Sequence, residues 1–430
     1  MQENLKRTIG VFGLACAVVN MTIGTGIFVL PALVAEHVGA AALICYLICG
    51  ILIFLIALCF AEVGSKVTVS GGPYTYIEAA FGNYAGFIAN IIFLISCVLS
   101  DAATAMALSK TLSFFVPVLD SPVVRPLFFC FLFGTLAYIN IRGAKQGVRL
   151  IVFTTVAKVI PLLLLVAVGT GHITIANLQW KNEFTFHDIG TATLILFFAF
   201  LGLETAVTNG GEFKNPSRTV PLGILSGLSF VLILYIAIQL ITQGVLGDEM
   251  AAVKEAPIAA VAQKIFGTLG ISIIVAGTAI SMIGSISGEV LGIPRILYAG
   301  ARDGLLPKFL FKIHPKFSTP HYAILVYTGI GFALAVFGAL QQLLILSSAT
   351  ILLIYLGVVL SAVKFRYKKI KSVEKTFAMP GGLIIPAIAA LTIFWILSNL
   401  KMEEKWGIVI ALAVLTVIYF LMKLFNKKAV

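Results

Sequence analysis

Long apolar runs alternate with short polar breaks from one end of the chain to the other. Each run is roughly 20 residues, the length an α-helix needs to cross the hydrocarbon core of a bilayer. Twelve spans can be drawn, at about 8–35, 39–63, 84–116, 123–141, 148–169, 187–210, 218–243, 258–298, 320–338, 342–364, 381–399 and 405–425. The pattern predicts an all-α polytopic membrane protein. An even number of spans puts both termini on one side.

Two runs are interrupted. Asn20-Met21-Thr22-Ile23-Gly24-Thr25-Gly26-Ile27-Phe28-Val29-Leu30-Pro31 lies inside span 1. Glycine costs a helix interior about 1 kcal/mol against alanine, and in lipid an opened backbone has no water to bond. Two readings fit. One is a half-helix junction whose freed N–H groups hold an anionic group. The other is a Gly/Thr face packed on a neighbouring helix. The second interruption, Phe198-Ala199-Phe200-Leu201-Gly202-Leu203-Glu204-Thr205, sets a glycine and then a carboxylate in the middle of span 6. Breaks in spans 1 and 6 suggest an internal repeat of five spans each, residues 1–170 and 187–364, with spans 11 and 12 in 381–430 outside it. Paired breaks of this kind point to a substrate site near the membrane midplane.

Composition agrees. The 430 residues are 60% hydrophobic and 11% charged, where soluble domains carry about 25% charged residues. Mean hydropathy is +1.06. The net charge of +12 does not indicate nucleic acid. Of 30 lysines and arginines, 22 fall on the N-terminal side of the drawn spans and six on the other, with Lys158 and Lys264 inside spans. The excess sets both termini in the cytoplasm and the chain in the cytoplasmic membrane. The first run is long, lacks a small-residue cleavage site and carries the break itself, so no signal peptide is expected. Residues 365–380, with Lys368, Lys369, Lys371 and Lys375, read as a solvated cytoplasmic loop. The six cysteines, Cys16, Cys45, Cys49, Cys59, Cys97 and Cys130, fall in apolar runs and read as small buried hydrophobes. There is no Walker loop, dinucleotide fingerprint or metal-spaced His/Cys set. The sequence therefore predicts neither an enzyme nor a cofactor. A channel needs rings or a filter, and paired breaks fit alternating access better. The short termini offer no handle for a partner subunit.

Four segments, in order, resemble the amino acid–polyamine–organocation (APC) transporter superfamily. They are Gly24-Thr25-Gly26-Ile27-Phe28 with Pro31; Gly71-Gly72-Pro73-Tyr74 with Phe81-Gly82; Phe200-Leu201-Gly202-Leu203-Glu204 with Lys214-Asn215-Pro216-Ser217-Arg218 and Pro221; and Arg302-Asp303-Gly304-Leu305-Leu306-Pro307. The resemblance implies the five-plus-five inverted-repeat (LeuT-like) fold with two extra helices, alternating access, and an amino acid or amine as substrate. It also implies that the span 1 break, at Thr25 and Gly26, holds the substrate carboxylate. Carbonyls at Phe200 and Leu201, with Thr22 nearby, would hold the ammonium, and Phe198 would be an aromatic gate.

A charge inside the membrane costs at least about 2.5–3.5 kcal/mol, so each one asks for a reason. Lys158 lies in span 5, where the resemblance implies an ammonium in place of a coupling cation, bonded to carbonyls freed at the span 1 break. The alternative is a lysine whose head reaches the cytoplasmic surface. Glu204 follows the span 6 break and either satisfies that break or senses protons. By the resemblance, Asp101 in span 3 and Glu289 in span 8 face the subsite for the substrate side chain, with Glu289 where arginine/agmatine exchangers have an aromatic. Two acids in a low-dielectric pocket repel each other, which a cationic group relieves. Three readings stand: the pair binds a cationic side chain, one member carries a coupled proton, or both are structural. Gly284, Gly288 and Gly292 recur every four residues and predict a tight helix contact beside Glu289. The expected function is sodium-independent secondary transport of amino acids, proton-coupled or by exchange. Cationic substrates are favoured, with neutral amino acids or polyamines as alternatives.

Overall fold

The computed structural model describes residues 9–67, 71–142, 158–180, 184–208, 213–253, 256–302, 306–367 and 376–426. Lys6, Arg7, residues 148–157 of span 5, Asp303-Gly304-Leu305, and Lys368, Lys369, Lys371 and Lys375 of the expected loop lie outside the described residues.

Among the described residues the regular structure is helical, apart from one isolated parallel bridge between Ile9 and Phe213. The helices are α1 (Val11–Thr22), α2 (Gly26–Val38), α3 (Ala42–Lys66), α4 (Pro73–Phe81), α5 (Asn83–Ser113), α6 (Val124–Arg142), α7 (Lys158–His172), α8 (Phe186–Phe197), α9 (Leu203–Ala206), α10 (Pro216–Leu246), α11 (Pro257–Gly292), α12 (Pro294–Arg302), α13 (His321–Phe337), α14 (Leu340–Tyr367), α15 (Ile384–Ser398) and α16 (Met402–Asn426). Proline opens α4, α10, α11 and α12, where its missing N–H has no helical partner to lose. Eight described stretches are long and apolar enough to cross a membrane, and four shorter apolar helices accompany them.

The core forms where α10 packs on α1 and α3, and α14 packs on α5 and α3. Large apolar side chains also cover the outer faces, among them Phe12, Ile233, Phe337 and Leu391. Outward-facing apolar surface on this scale suits a lipid environment.

Three expectations need correction. Cys16 and Cys130 are exposed rather than buried. In a bilayer both faces of a helix are apolar, so hydrophobicity does not separate inside from outside. Span 8, drawn as one run with Lys264 inside it, is bent. α11 turns at Gly267 (φ 67°, ψ −154°), and Lys264, ahead of that turn, is 41% exposed and pairs with Glu249 at 2.7 Å. A β-carbon at Gly292 would meet nothing within 4 Å, so the expected tight contact is not made at that glycine.

One buried ionic cluster joins distant elements. Glu62 of α3, 1% exposed, accepts from Arg366 Nε of α14 at 2.9 and 3.1 Å and from Lys66 Nζ at 2.9 Å. The Met379 N–H also donates to Glu62 at 3.1 Å, and Arg366 Nη2 donates to the Met379 carbonyl at 2.8 Å. The cluster ties α3 and α14 to the segment that leads into α15.

Candidate functional site: two broken helices and a small polar cavity

Helix α1 stops at Thr22 and α2 starts at Gly26. Between them Ile23 leaves the helical region (φ −74°, ψ 80°), and the Gly24 N–H turns back to the Thr22 carbonyl at 2.8 Å. Helix α8 stops at Phe197. A 3-10 turn (Phe198–Phe200), an extended Leu201 and a left-handed Gly202 (φ 118°) precede α9.

The two breaks rest on each other. A β-carbon at Gly26 would stand 2.6 Å from Ala199 Cα, and one at Gly202 would stand 2.5 Å from the Met21 carbonyl. Only glycine allows both approaches, and Gly202 also needs its positive φ.

Three side chains satisfy the opened backbone. Lys158, 2% exposed, donates from Nζ to the Asn20 carbonyl at 2.5 Å and to the Ile23 carbonyl at 2.7 Å. The Tyr235 hydroxyl of α10 stands 2.9 Å from the Thr22 carbonyl and 3.0 Å from the Ala199 carbonyl and shares its one proton between the two breaks. Glu204 accepts the Gly202 N–H on both carboxylate oxygens at 3.0 Å and also accepts the Tyr355 hydroxyl. Freed carbonyls and N–H groups are thus met inside the protein, as a bilayer requires.

A cavity of about 30 Å³ lies between the breaks, lined by Thr22, Gly24, Thr25, Gly26, Asp101, Thr104, Phe198, Leu201, Ser285 and Glu289. Thr25 Oγ1 donates to Thr104 Oγ1 at 2.9 Å across its wall. Thr22 Oγ1 and Ser285 Oγ have no hydrogen-bond partner among the described residues. Asp101 of α5, 2% exposed, and Glu289 of α11 meet at the Tyr327 hydroxyl of α13, which stands 2.9 Å from Asp101 and 3.4 Å from Glu289. No lysine or arginine among the described residues pairs with either acid.

Sequence reasoning therefore selects residues that come together: Thr22, Thr25, Gly26, Asp101, Phe198, Leu201 and Glu289 share one cavity. Phe200 does not line it, and its ring packs edge-on against Tyr235 with centroids 5.4 Å apart. Lys158 and Glu204 sit behind the cavity, bonded to the breaks. Tyr235, Tyr327 and Tyr355 were missed. A tyrosine in a lipid-spanning run needs a partner for its hydroxyl, and that was the available signal.

The profile of the amino acid permease family matches residues 9–425. The chain is 28% identical to the branched-chain amino acid permease BcaP of Bacillus subtilis, over 98% of this chain and 94% of that protein. It is 29% identical to the serine/threonine exchanger SteT of Bacillus subtilis, over 98% of each. It is 26% identical to the human cystine/glutamate transporter, over 99% of this chain and 87% of that protein.

Proposed function

This chain belongs to the amino acid permease family, and from that premise we propose that it is a secondary transporter of amino acids with a preference for cationic ones. The carrying observation is the pair of acids, Asp101 and Glu289, facing the cavity with no lysine or arginine partner among the described residues. The substrate backbone sits between the breaks. Its carboxylate meets the N–H groups at Thr25 and Gly26, where α2 begins, and its ammonium meets Thr22 and the carbonyl of Leu201. The side chain then points to Asp101 and Glu289, and Phe198 covers the substrate.

The architecture proposed for this activity has twelve crossings, with residues 1–170 and 187–364 as inverted repeats and 381–430 appended. Both termini face the cytoplasm. Lys158 holds the place of a coupling cation at the span 1 break, which makes transport sodium-independent. Energy comes from protons or from exchange against a second amino acid. Glu204 braces the span 6 break.

Neutral amino acids form the second reading, with polyamines behind it. The unpartnered hydroxyls of Thr22 and Ser285 favour a polar substrate. The relatives named for branched-chain substrates and for serine and threonine also support it.

A thermal-shift screen of the purified protein over amino acids and polyamines separates these readings, followed by uptake into proteoliposomes with and without sodium and a pH gradient. Lysine or arginine is expected to give the largest shift and saturable uptake without sodium. A shift with neutral amino acids alone removes the cationic preference. Loss of uptake when sodium is withdrawn removes the role given to Lys158.

A further inference from the structure

A phenol has one proton to donate. The Tyr327 hydroxyl faces two carboxylates, and the nearer oxygen, on Asp101 at 2.9 Å, is the one it serves. The contact to Glu289 at 3.4 Å becomes a hydrogen bond when Glu289 supplies a proton of its own to the phenol oxygen. With both acids bare, one carboxylate would face an oxygen lone pair in a largely enclosed site, which is costly. No lysine or arginine among the described residues pairs with either acid. Among the described residues, Cys97 of α5 and Glu204 of α9 also interact with the unit. The arginines of α6 and α12, Arg125, Arg142, Arg295 and Arg302, lie at or next to the ends of their helices, and Lys308 lies in the turn Lys308–Phe311.

We propose that Asp101, Tyr327 and Glu289 form one proton-holding unit, and that this proton and the positive group of the substrate displace one another. The proposal rests on the cationic reading of the cavity. Without substrate, the Glu289 carboxyl donates to Tyr327, and Tyr327 donates to Asp101. When an ammonium or guanidinium enters, its N–H groups bond both carboxylates, and the Glu289 proton leaves to water. One proton goes out as one positive charge comes in, so the unit carries a net charge of −1 in both states. The same conformational change can therefore carry either occupant, and cation and proton travel in opposite directions. Tyr327 is the positioning residue that links the two acids.

The test uses the full-length protein in proteoliposomes with a pH dye inside and labelled lysine outside. Lysine entry is expected to make the interior more alkaline, and an acidic interior is expected to speed entry. Protons are expected to compete with lysine, so that acidifying the outside raises KM and leaves kcat unchanged. Y327F keeps both acids and the ring. It is expected to reduce proton counter-movement about fivefold or more and to flatten the pH profile of lysine KM. Protons moving with lysine, or a fall in kcat alone on acidification, overturn the proposal without recourse to the variant. So does a Y327F protein with the wild-type pH profile. Lysine transport with no proton movement overturns this unit and leaves the cationic reading standing. Absence of any lysine transport, with a neutral amino acid carried, overturns both.

Discussion

Gly26 and Ala199 touch backbone to backbone: a β-carbon on the glycine would come within 2.6 Å of the alanine Cα. The contact fixes the start of α2 against the 3-10 turn that ends α8. Gly26→Ala must push one break off the other, at a cost typical of overpacking, about 1–3 kcal/mol. Gly202→Ala meets the Met21 backbone and also needs φ 118° from a residue with a β-carbon, so it is expected to cost more. Melting temperature and amino acid uptake of the two variants check this, and Gly202→Ala should lose more of both.

Tyr235 serves both breaks with one hydroxyl. Tyr235→Phe leaves the carbonyls of Thr22 and Ala199 without that donor, at about 1–3 kcal/mol. The ring packing on Phe200 stays. The expected outcome is a folded protein with a lower melting temperature and slowed uptake, since the two half-helices are no longer joined there.

Asp101→Asn and Glu289→Gln keep shape and remove charge. Each is expected to abolish uptake of labelled lysine and arginine while sparing neutral amino acids. A variant pair that still takes up lysine at the wild-type rate contradicts the role assigned to the acids.

Glu62→Ala leaves the partly exposed Arg366 without its carboxylate and with only the Met379 carbonyl. Breaking a fully buried pair costs about 3–5 kcal/mol, and the partial exposure of Arg366 sets the expected cost below that. The loss should appear as a clear drop in melting temperature, and Arg366→Ala should resemble it, because the buried Glu62 then keeps only Lys66 and the Met379 N–H.

Outside the membrane-spanning helices, Asp120 sits beside Lys110 at 3.1 Å and Arg125 at 4.0 Å. Slight burial works the other way, but the hydrogen bond and charge of Lys110 prevail and hold its carboxyl below the ordinary value. A lowered value in the folded state means stability that is present above the unfolded value and lost as pH falls through the folded one. Asp120→Asn should therefore lower the melting temperature slightly at neutral pH and match the wild type in strong acid. Exposed pairs contribute little, so the effect is expected to be about 1 kcal/mol or less.

The helical class and the two interruptions were legible because lipid punishes an open backbone, so Gly24-Thr25-Gly26 and Leu201-Gly202 could not pass as ordinary helix. Asp101, Lys158 and Glu289 were legible because a charge at membrane depth is rare. What bonds to those charges was not. Tyr235, Tyr327 and Tyr355 look like any aromatic in an apolar run until the fold brings a carbonyl or carboxylate to the hydroxyl. Cys16 and Cys130 were misplaced for a related reason, since nothing in a uniformly apolar helix marks which face meets lipid. The position of Lys264 turned on one backbone angle at Gly267, and a single glycine in a long run does not announce a turn.

The space between the half-helices has its own consequence. Ligand clefts usually measure roughly 300–1,000 Å³, and this one measures about 30 Å³, enough for a water molecule or two. An amino acid is several times larger, so its docking at the proposed site would require rearrangement. Part of the intrinsic affinity would then go into parting Gly26 from Ala199 and Gly202 from Met21, and measured dissociation constants would carry that reduction. Substitutions that loosen those two seams without harming the lining should therefore tighten substrate binding even as they lower the melting temperature.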